Sequence, residues 1–467
     1  MMHRGTSLPP GPSLPGAIQL VRLLRRPYRF FADCRDAYGD TFTIRLPGRP
    51  PTVITADPDT VKEQSVAGYD GPDRYLEELR YVVGNDSVVF ARGDPHRAIR
   101  KMISPPFHGD RIQSYADEML RIAETRLSTW REGEQRLMLK EFEDITFAFI
   151  VRLVLGIKDD DRVQAFATHY LGYLRHMTKP WVFGLSTYLG GARVYDYVRG
   201  QPSASPQFLM QLYLRGAAAN FQALMTMLNE EVDQCREDVK RGDTQRNDIL
   251  PSLVTARLHD GSQPSNSYLI GQILTLFIAG FESTGNTLSW ALYCLLRHPA
   301  ALARTQDEID RVMAAGKIDP TRIKELKYLD ACINESMRLY PVAPYLPRYL
   351  TNDLRVGSFL LPSGIVLGLS IFLTQRDARS WEQPDDFRPD RFLDGRPPVR
   401  QFLPFGLSVW RCPGAPFAEL ELRVVLTRIL SGFRFHLDNA TQIEPTQIGV
   451  LVGPSHGLPV RIVKVLG

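Results

Sequence analysis

Cysteine is scarce in this chain. The five that occur, Cys34, Cys235, Cys294, Cys332 and Cys412, are far apart, with no Cys-x-x-Cys pair and no Cys/His cluster. That spacing argues against a disulfide framework and against a zinc site, and it fits a reducing intracellular compartment. An excess of one charge is also missing. The chain sets 56 basic side chains against 52 acidic ones for a net +4, too slight a balance to argue for nucleic acid. No internal repeat is visible, which argues against a solenoid or propeller. Met1–Gly16 is Pro-rich and lacks the apolar core of a secretory leader. Ala17–Leu24 is too short to span a bilayer and runs into Arg25 and Arg26. The one long apolar stretch is Tyr268–Leu296, where Glu282 is the only charge. Gln272, Ser283, Thr284, Asn286 and Thr287 interrupt it, so a buried helix is a better reading than a membrane span. No Gly-x-Gly-x-x-Gly follows a strand pattern, so no dinucleotide module is expected.

What is present is enough for a large core: 467 residues, 44% of them hydrophobic and 23% charged. The pattern predicts a helix over Arg26–Tyr38, then strands Thr41–Arg45 and Thr52–Thr55 about a Pro47-Gly48 turn, and a short helix from Pro58 capped by Asp57. Residues 65–92 read as irregular. From about 95 to 340 the period is helical, clearest in Phe142–Leu155, Phe221–Val239 and Ser267–Arg297. Lys179–Pro206 breaks that pattern and reads as a lid-like connection. Leu354–Leu361 and Ile365–Leu369 read as a hairpin about Pro362-Ser363-Gly364, and Gly449–Val465 as terminal strands. The expected fold is mainly α with a smaller β portion, one domain over 1–467 with a Pro-rich segment at 1–16.

Four constellations carry chemistry. In Asn334–Tyr340, Glu335 and Arg338 are three apart and share a helix face. Their apolar neighbours imply burial, and a buried pair needs a further partner, for which Arg391 is a candidate. In Ala279-Gly280-Phe281-Glu282-Ser283-Thr284, small residues leave room for a flat ligand, and an acid followed by two hydroxyls can relay protons. A plain helix–helix contact at Gly280 explains the segment equally well. His96 and Arg100 are four apart and can bind two carboxylates, although a solvated basic face has the same pattern. Finally, Cys412 ends Phe405-Gly406-Leu407-Ser408-Val409-Trp410-Arg411-Cys412 at the mouth of a helix from Ala415. A helix N-terminus favours thiolate, the form that binds metals, whereas a buried cysteine is simply a small hydrophobe.

Taken together, the Phe…Gly…Cys-x-Gly loop, the Glu-x-x-Arg pair and the Ala-Gly-x-Glu helix resemble the cytochrome P-450 (haem-thiolate monooxygenase) family of the soluble bacterial type, over essentially the whole chain. The resemblance implies that family's triangular, helix-rich prism and haem b held through Cys412 as the metal ligand. It places Phe405, Gly406 and Gly414 against the haem, and His96, Arg100 and Arg348 on its propionates. Glu335, Arg338 and Arg391 match a structural triad. Glu282 and Ser283, with Thr284 next, match the acid–alcohol pair that delivers protons during oxygen activation. Ser283 keeps the hydroxyl of the usual Thr without the methyl that limits its rotamers. Ser408 stands where the family usually has Gly, and Trp410 stands where Arg or His usually binds a propionate, so the haem's hold is expected to rest more on His96, Arg100 and Arg348 than on the loop carrying the sulfur.

The resemblance further implies a cytoplasmic oxygenase of secondary metabolism, without a membrane anchor, that uses O2. It would hydroxylate or epoxidise a fatty acid, terpenoid, steroid or macrocyclic natural product. Electrons would come from NAD(P)H through a ferredoxin and its reductase, or a flavodoxin. Arg97, Lys101, Arg396, Arg400 and Arg411 are candidates for a docking patch. Tyr75, Leu76, Val82, Val83, Tyr173, Trp181, Val182, Phe183, Leu185, Phe208 and Tyr213 are expected to border the pocket. The alternatives are a peroxide-using or rearranging haem-thiolate enzyme, a non-catalytic haem or ligand binder, and an α-helical membrane protein.

Overall fold

The computed structural model describes residues 8–66, 79–107, 110–179, 182, 191–200, 207–242, 248–258, 261–313, 318–395, 397–398, 400–408, 411–438 and 441–466. The longer helices are α1 (Gly16–Arg25), α2 (Pro27–Tyr38), α3 (Gly93–Ile103), α4 (Ala116–Leu127), α5 (Met138–Leu155), α6 (Asp160–Met177), α7 (Gln207–Lys240), α8 (Asn266–Arg297), α9 (Pro299–Val312), α10 (Lys327–Leu339) and α11 (Ala415–Gly432). By contacts the chain forms two compact units. One comprises 1–71, 110–143 and 283–467, the other 72–109 and 144–282.

The first unit holds every strand among the described residues. Its main sheet is ordered β1 (Thr41–Ile44), β2 (Thr52–Thr55), β7 (Val366–Ser370), β4 (Tyr345–Tyr349). β2 and β7 run parallel and are buried along their whole length. Strands covered on both faces read as continuous β-branched or apolar runs rather than as alternation, which is how Thr-Val-Ile-Thr and Val-Leu-Gly-Leu-Ser read. Gly368 in β7 has no room for a Cβ, which would lie 2.5 Å from Ile54 Cδ1 and 2.9 Å from Tyr345 Cδ2 on the flanking strands. The expected hairpin about Pro362-Ser363-Gly364 does not form. The hairpin pairs β5 (Leu354–Val356) with β6 (Phe359–Leu361) instead, turning at Gly357, whose φ of +55° suits a glycine. The following strand joins β2 and β4 because its apolar residues are buried there. Two small sheets complete this unit: β9 (Pro445–Ile448) with β10 (Leu451–Pro454), and β3 (Gln135–Leu137), β11 (Pro459–Val465) and β8 (Phe433–His436) in that order.

The second unit is helical. Phe147 on α5, Tyr170 on α6 and Phe277 and Phe281 on α8 form one aromatic cluster, with ring centroids 5.5–5.7 Å apart for Phe147 against each of the other three. Such rings add contact energy through edge-to-face packing beyond their area. A helix, Gly191–Val198, lies within the stretch expected to be a connection; 180–181, 183–190 and 201–206 lie outside the described residues. No described helix is long and apolar enough to cross a membrane. α8 is buried nearly all round instead, and several of its polar side chains bond to backbone groups. Thr287 Oγ1 donates to Ser283 O at 2.8 Å, Ser289 Oγ donates to Gly285 O at 2.8 Å, and Gln272 Oε1 accepts from Val88 N at 3.0 Å.

Candidate functional site

The Cys412 loop is anchored before it reaches the sulfur. Leu403 and Leu407 are buried in one core cluster with Val53, Leu350, Leu367 and Leu369 of the main-sheet region. Leu403 N donates to Gln375 Oε1 at 3.0 Å, and Gln375 Nε2 donates to the Met337 and Arg338 carbonyls at the end of α10. Between these anchors and the sulfur, the backbone turns through Gly406 (φ +72°) and Ser408 (φ +57°), and Cys412 N closes the loop on Phe405 O at 2.8 Å. Gly414 then caps α11, and a Cβ on it would lie 3.9 Å from Cys412 Sγ. The sulfur therefore sits beside the N-terminus of an 18-residue helix, where unpaired N–H groups and the dipole favour thiolate.

The other cysteines lack this setting. All four are buried, whereas Cys412 is exposed. Burial pushes the Cys34, Cys294 and Cys332 thiols up to about 12. These remain protonated at neutral pH and behave as small hydrophobes.

The backbone at Ser408 accounts for the glycine that the resemblance expects at this position. A left-handed φ costs a side-chain-bearing residue roughly 1 kcal/mol that glycine does not incur. Ser408→Gly is thus expected to raise the denaturation midpoint by the equivalent of roughly 0.5–1 kcal/mol, read by thermal or urea unfolding. A lowered midpoint would mean that the serine side chain holds the loop. Trp410 lies outside the described residues.

Arg348 projects from β4 and is almost wholly buried. Its strand neighbours Leu346 and Leu350 pack in the cluster that holds Leu403 and Leu407, so the strand of Arg348 and the cysteine loop share one core. On α3, His96 is buried and Arg100 half-buried, one turn apart as their spacing requires.

The Glu335–Arg338 pair is fully buried and found more than one further partner. Arg338 Nε and Nη2 donate to Glu335 at 2.7 and 2.8 Å. Its remaining donors reach the carbonyls of Gln375, Pro384 and Asp386 at 2.9, 2.7 and 3.1 Å. Glu335 Oε1 also accepts from Arg391 Nε at 3.1 Å and from Arg388 N at 2.9 Å. All five guanidinium N–H groups are used, which is the condition for a buried charge pair to be tolerated. The Arg391 expectation holds. The carbonyl acceptors leave no mark in the sequence.

On α8, the helix-contact reading of the Gly280 segment is realised. A Cβ on Gly280 would lie 2.8 Å from Ile150 Cδ1, so this glycine does serve a close helix contact. Yet Ala279 is exposed and Gly280 and Ser283 are partly accessible, while Leu269–Ile278 and Thr284–Ala291 are buried throughout. Residues 279, 280 and 283 share a face, so this helix keeps one accessible patch of small residues in its middle. Glu282 and Thr284 are buried. Burial, and then the nearby Glu282 carboxyl, hold the Tyr170 phenol well above its usual range.

One group escaped the sequence reading. Glu421, in the second turn of α11, is 1% exposed and shares a hydrogen bond with the Thr284 side chain. Its Oε1 has no partner among the described residues. Burial holds its carboxyl well above the ordinary 4.5, which favours the protonated form. The sign of the linkage follows. Above pH about 4.5 the unfolded chain loses this proton while the folded one keeps it, so stability falls as pH rises. Glu421→Gln is expected to flatten that fall, and to be the more stable form near pH 8 and not near pH 4, by urea midpoints at each pH. Parallel profiles would show that Glu421 is ionised.

Val82, Val83 and Val182 are buried, as is Tyr173, whose hydroxyl donates to Tyr81 O and whose ring packs 5.0 Å from Phe221. Tyr173 is spent in the helix core. Tyr75, Leu76, Trp181, Phe183, Leu185 and the side chains of Phe208 and Tyr213 lie outside the described residues.

An accessible cysteine at a helix N-terminus and a buried arginine on the same core fit a thiolate-ligated haem. Among the described residues no cluster of His, Cys, Asp or Glu competes for a metal. The comparisons agree. The family model described as cytochrome P450 matches residues 8–459. A Mycobacterium tuberculosis protein named as cytochrome P450 135B1 is 30% identical over 466 residues, covering 98% of this chain and 92% of the relative. The cyclooctatin synthase of Streptomyces melanosporofaciens is 27% identical over 98% of this chain and 96% of its own. Among solved structures, the cytochrome P450DA heme domain matches with a TM-score of 0.81 at 20% identity over 98% of both chains. Retinoic-acid-bound cyanobacterial CYP120A1 matches with a TM-score of 0.79 at 22% identity, over 99% of this chain and 100% of that one.

Proposed function

We infer, from the premise that the chain belongs to the cytochrome P450 family and is a haem-thiolate monooxygenase, that it inserts one oxygen atom of O2 into an apolar small molecule by hydroxylation or epoxidation. The balance is substrate, O2, two electrons and two protons giving oxygenated product and water. The observation that carries the site is the placement of Cys412: the one exposed cysteine, at the mouth of α11. When bound through that sulfur, haem supplies the electron-rich iron that favours O–O cleavage.

The residues around it have separate tasks. Cys412 would hold the iron, with Phe405, Gly406 and Gly414 shaping the loop against the ring. His96, Arg100 and Arg348 would bind the propionates as charge-assisted donors. The Glu282 carboxyl would take up protons and pass them on through Ser283 Oγ, with Thr284 held in place by Glu421. Electrons would come from NAD(P)H through a ferredoxin and reductase, or a flavodoxin. Arg97, Lys101, Arg400 and Arg411 are exposed and suit an acidic partner, while Arg396 lies outside the described residues. A terpenoid, steroid, fatty acid or macrocycle is the expected substrate class. In support, one relative is named for cyclooctatin and one structural neighbour holds retinoic acid.

The test is an apolar library screened for displacement of water from ferric iron, seen as a Soret shift, followed by turnover of the hits with O2, ferredoxin, reductase and NADPH. Turnover with hydrogen peroxide alone, and none with O2 and electrons, would favour the peroxide-using alternative. Ser283→Ala should cut product per NADPH consumed by about tenfold or more, with the electrons appearing as hydrogen peroxide. Unchanged coupling in that variant would remove Ser283 from the proton route.

A further inference from the structure

α1 and the start of α2 carry a surface that oxygenation leaves unused. Ile18, Val21, Arg22 and Arg25 are all exposed, Ile18 by 44% and Val21 by 49%. Their spacing puts them on one stripe of α1. The helix cannot turn that stripe inward, because its other face is committed. Leu23 is buried in a cluster with Tyr28, Phe30 and Phe31. Gln19 Nε2 donates to the Pro12 and Leu14 carbonyls at 3.2 and 2.7 Å, and its Oε1 accepts from Arg45 N at 2.9 Å.

Beside the apolar pair lies a basic cleft of about 560 Å³, lined by Arg22, Arg25, Arg26, Arg29, Phe30 and Asp33 among others. Arg26 pairs with Glu444 and Arg29 with Asp33, each at 2.8 Å. Four guanidiniums against these two carboxylates leave two positive charges. Among the described residues neither Arg22 nor Arg25 has an ion-pair partner. Two independent features thus adjoin on one short element: exposed aliphatic side chains, and uncompensated arginines.

We propose that this surface docks the enzyme onto an anionic lipid bilayer. Arg22 and Arg25 meet lipid phosphates and carboxylates, and Ile18 and Val21 enter the interface. A basic amphipathic helix lying flat binds in this way by combining apolar burial with attraction to anionic headgroups. A helix of ten residues, about 15 Å long, lies on a bilayer rather than through it. The mode is peripheral, in keeping with the lack of a spanning helix among the described residues.

The experiment is co-sedimentation of the full-length, haem-loaded protein with vesicles of phosphatidylcholine alone, or with about one third phosphatidylserine. Binding is expected to the second and not the first, and to weaken as salt rises. The double variant R22A/R25A should lower the bound-to-free ratio on phosphatidylserine vesicles by about tenfold or more. I18S/V21S should lower it while leaving the salt dependence in place. The Soret band and thermal midpoint of each variant show that it is folded. No preference for anionic vesicles, or wild-type binding by R22A/R25A, would overturn the proposal. So would retention by an acidic ferredoxin that needs Arg22 and Arg25 without any vesicle binding, which would assign the surface to a protein partner.

Discussion

Cys412→Ser is expected to abolish the thiolate-type spectrum of the reduced carbon monoxide complex, together with monooxygenation. The sulfur lies outside the core, so the exchange removes one atom's chemistry without opening a cavity. A serine hydroxyl at the same helix N-terminus stays protonated at neutral pH, whereas a thiol there is readily ionised. The loop's own anchors do not involve the sulfur: Cys412 N still reaches Phe405 O, and Leu403 still bonds Gln375. The variant should therefore fold and can still be tested for haem uptake. Cys294→Ser is the matching control. That thiol is buried and pushed up to about 12, so its loss should leave the spectrum as it was. A thiolate-type spectrum that persists in Cys412→Ser, or disappears in Cys294→Ser, would sink the assignment.

Arg338→Ala should be the most destabilising single exchange among the charged residues, by about 3–5 kcal/mol. Removing the guanidinium leaves Glu335 buried with half its partners gone and strands the carbonyls of Gln375, Pro384 and Asp386 away from water. The cation also stacks over the Trp381 ring, 4.9 Å from its centroid. Because Gln375 ties the end of α10 to Leu403, the damage should spread to the cysteine loop, seen as weaker haem retention along with a lower urea midpoint. The comparison is Arg322→Ala. Arg322 and Glu325 have the same spacing of three and a similar 2.9 Å contact, but they lie at the surface, their side chains 40% and 45% exposed. Water and salt screen that pair, and its loss should leave the midpoint unchanged within error. If the two variants lose the same amount, burial is not what gives the inner pair its weight.

These two pairs show how far the sequence can be read. Glu335 and Arg338 were legible as a pair because a spacing of three is a local, helical fact, and apolar neighbours signalled burial. Arg391 was legible only as a candidate, and the three carbonyls not at all, since backbone acceptors have no residue type. Cys412 stood out through its loop and the helix after it. Ser408 could be seen to differ from the family's glycine, but not why glycine is preferred there, because a left-handed φ is a property of the path. Glu421 looked like one more acid on a helix. The hairpin was misplaced by one strand, because three short apolar runs separated by turns pair equally well on paper.

What the sequence by itself determined was the chemistry available: one thiol at a helix mouth, an acid followed by hydroxyls, paired charges at helical spacing, and enough apolar residues for a large helical core. These are short-range properties, set by which side chains are neighbours along the chain. Only the tertiary structure decided which of these groups is wet and which is dry. It left Cys412 accessible and closed over the other four cysteines, kept Glu421 from water, and left open a strip at Ala279, Gly280 and Ser283 on an otherwise covered helix. The physical reason is that desolvation depends on everything packed around a group, and most of what surrounds each of these residues is distant in sequence.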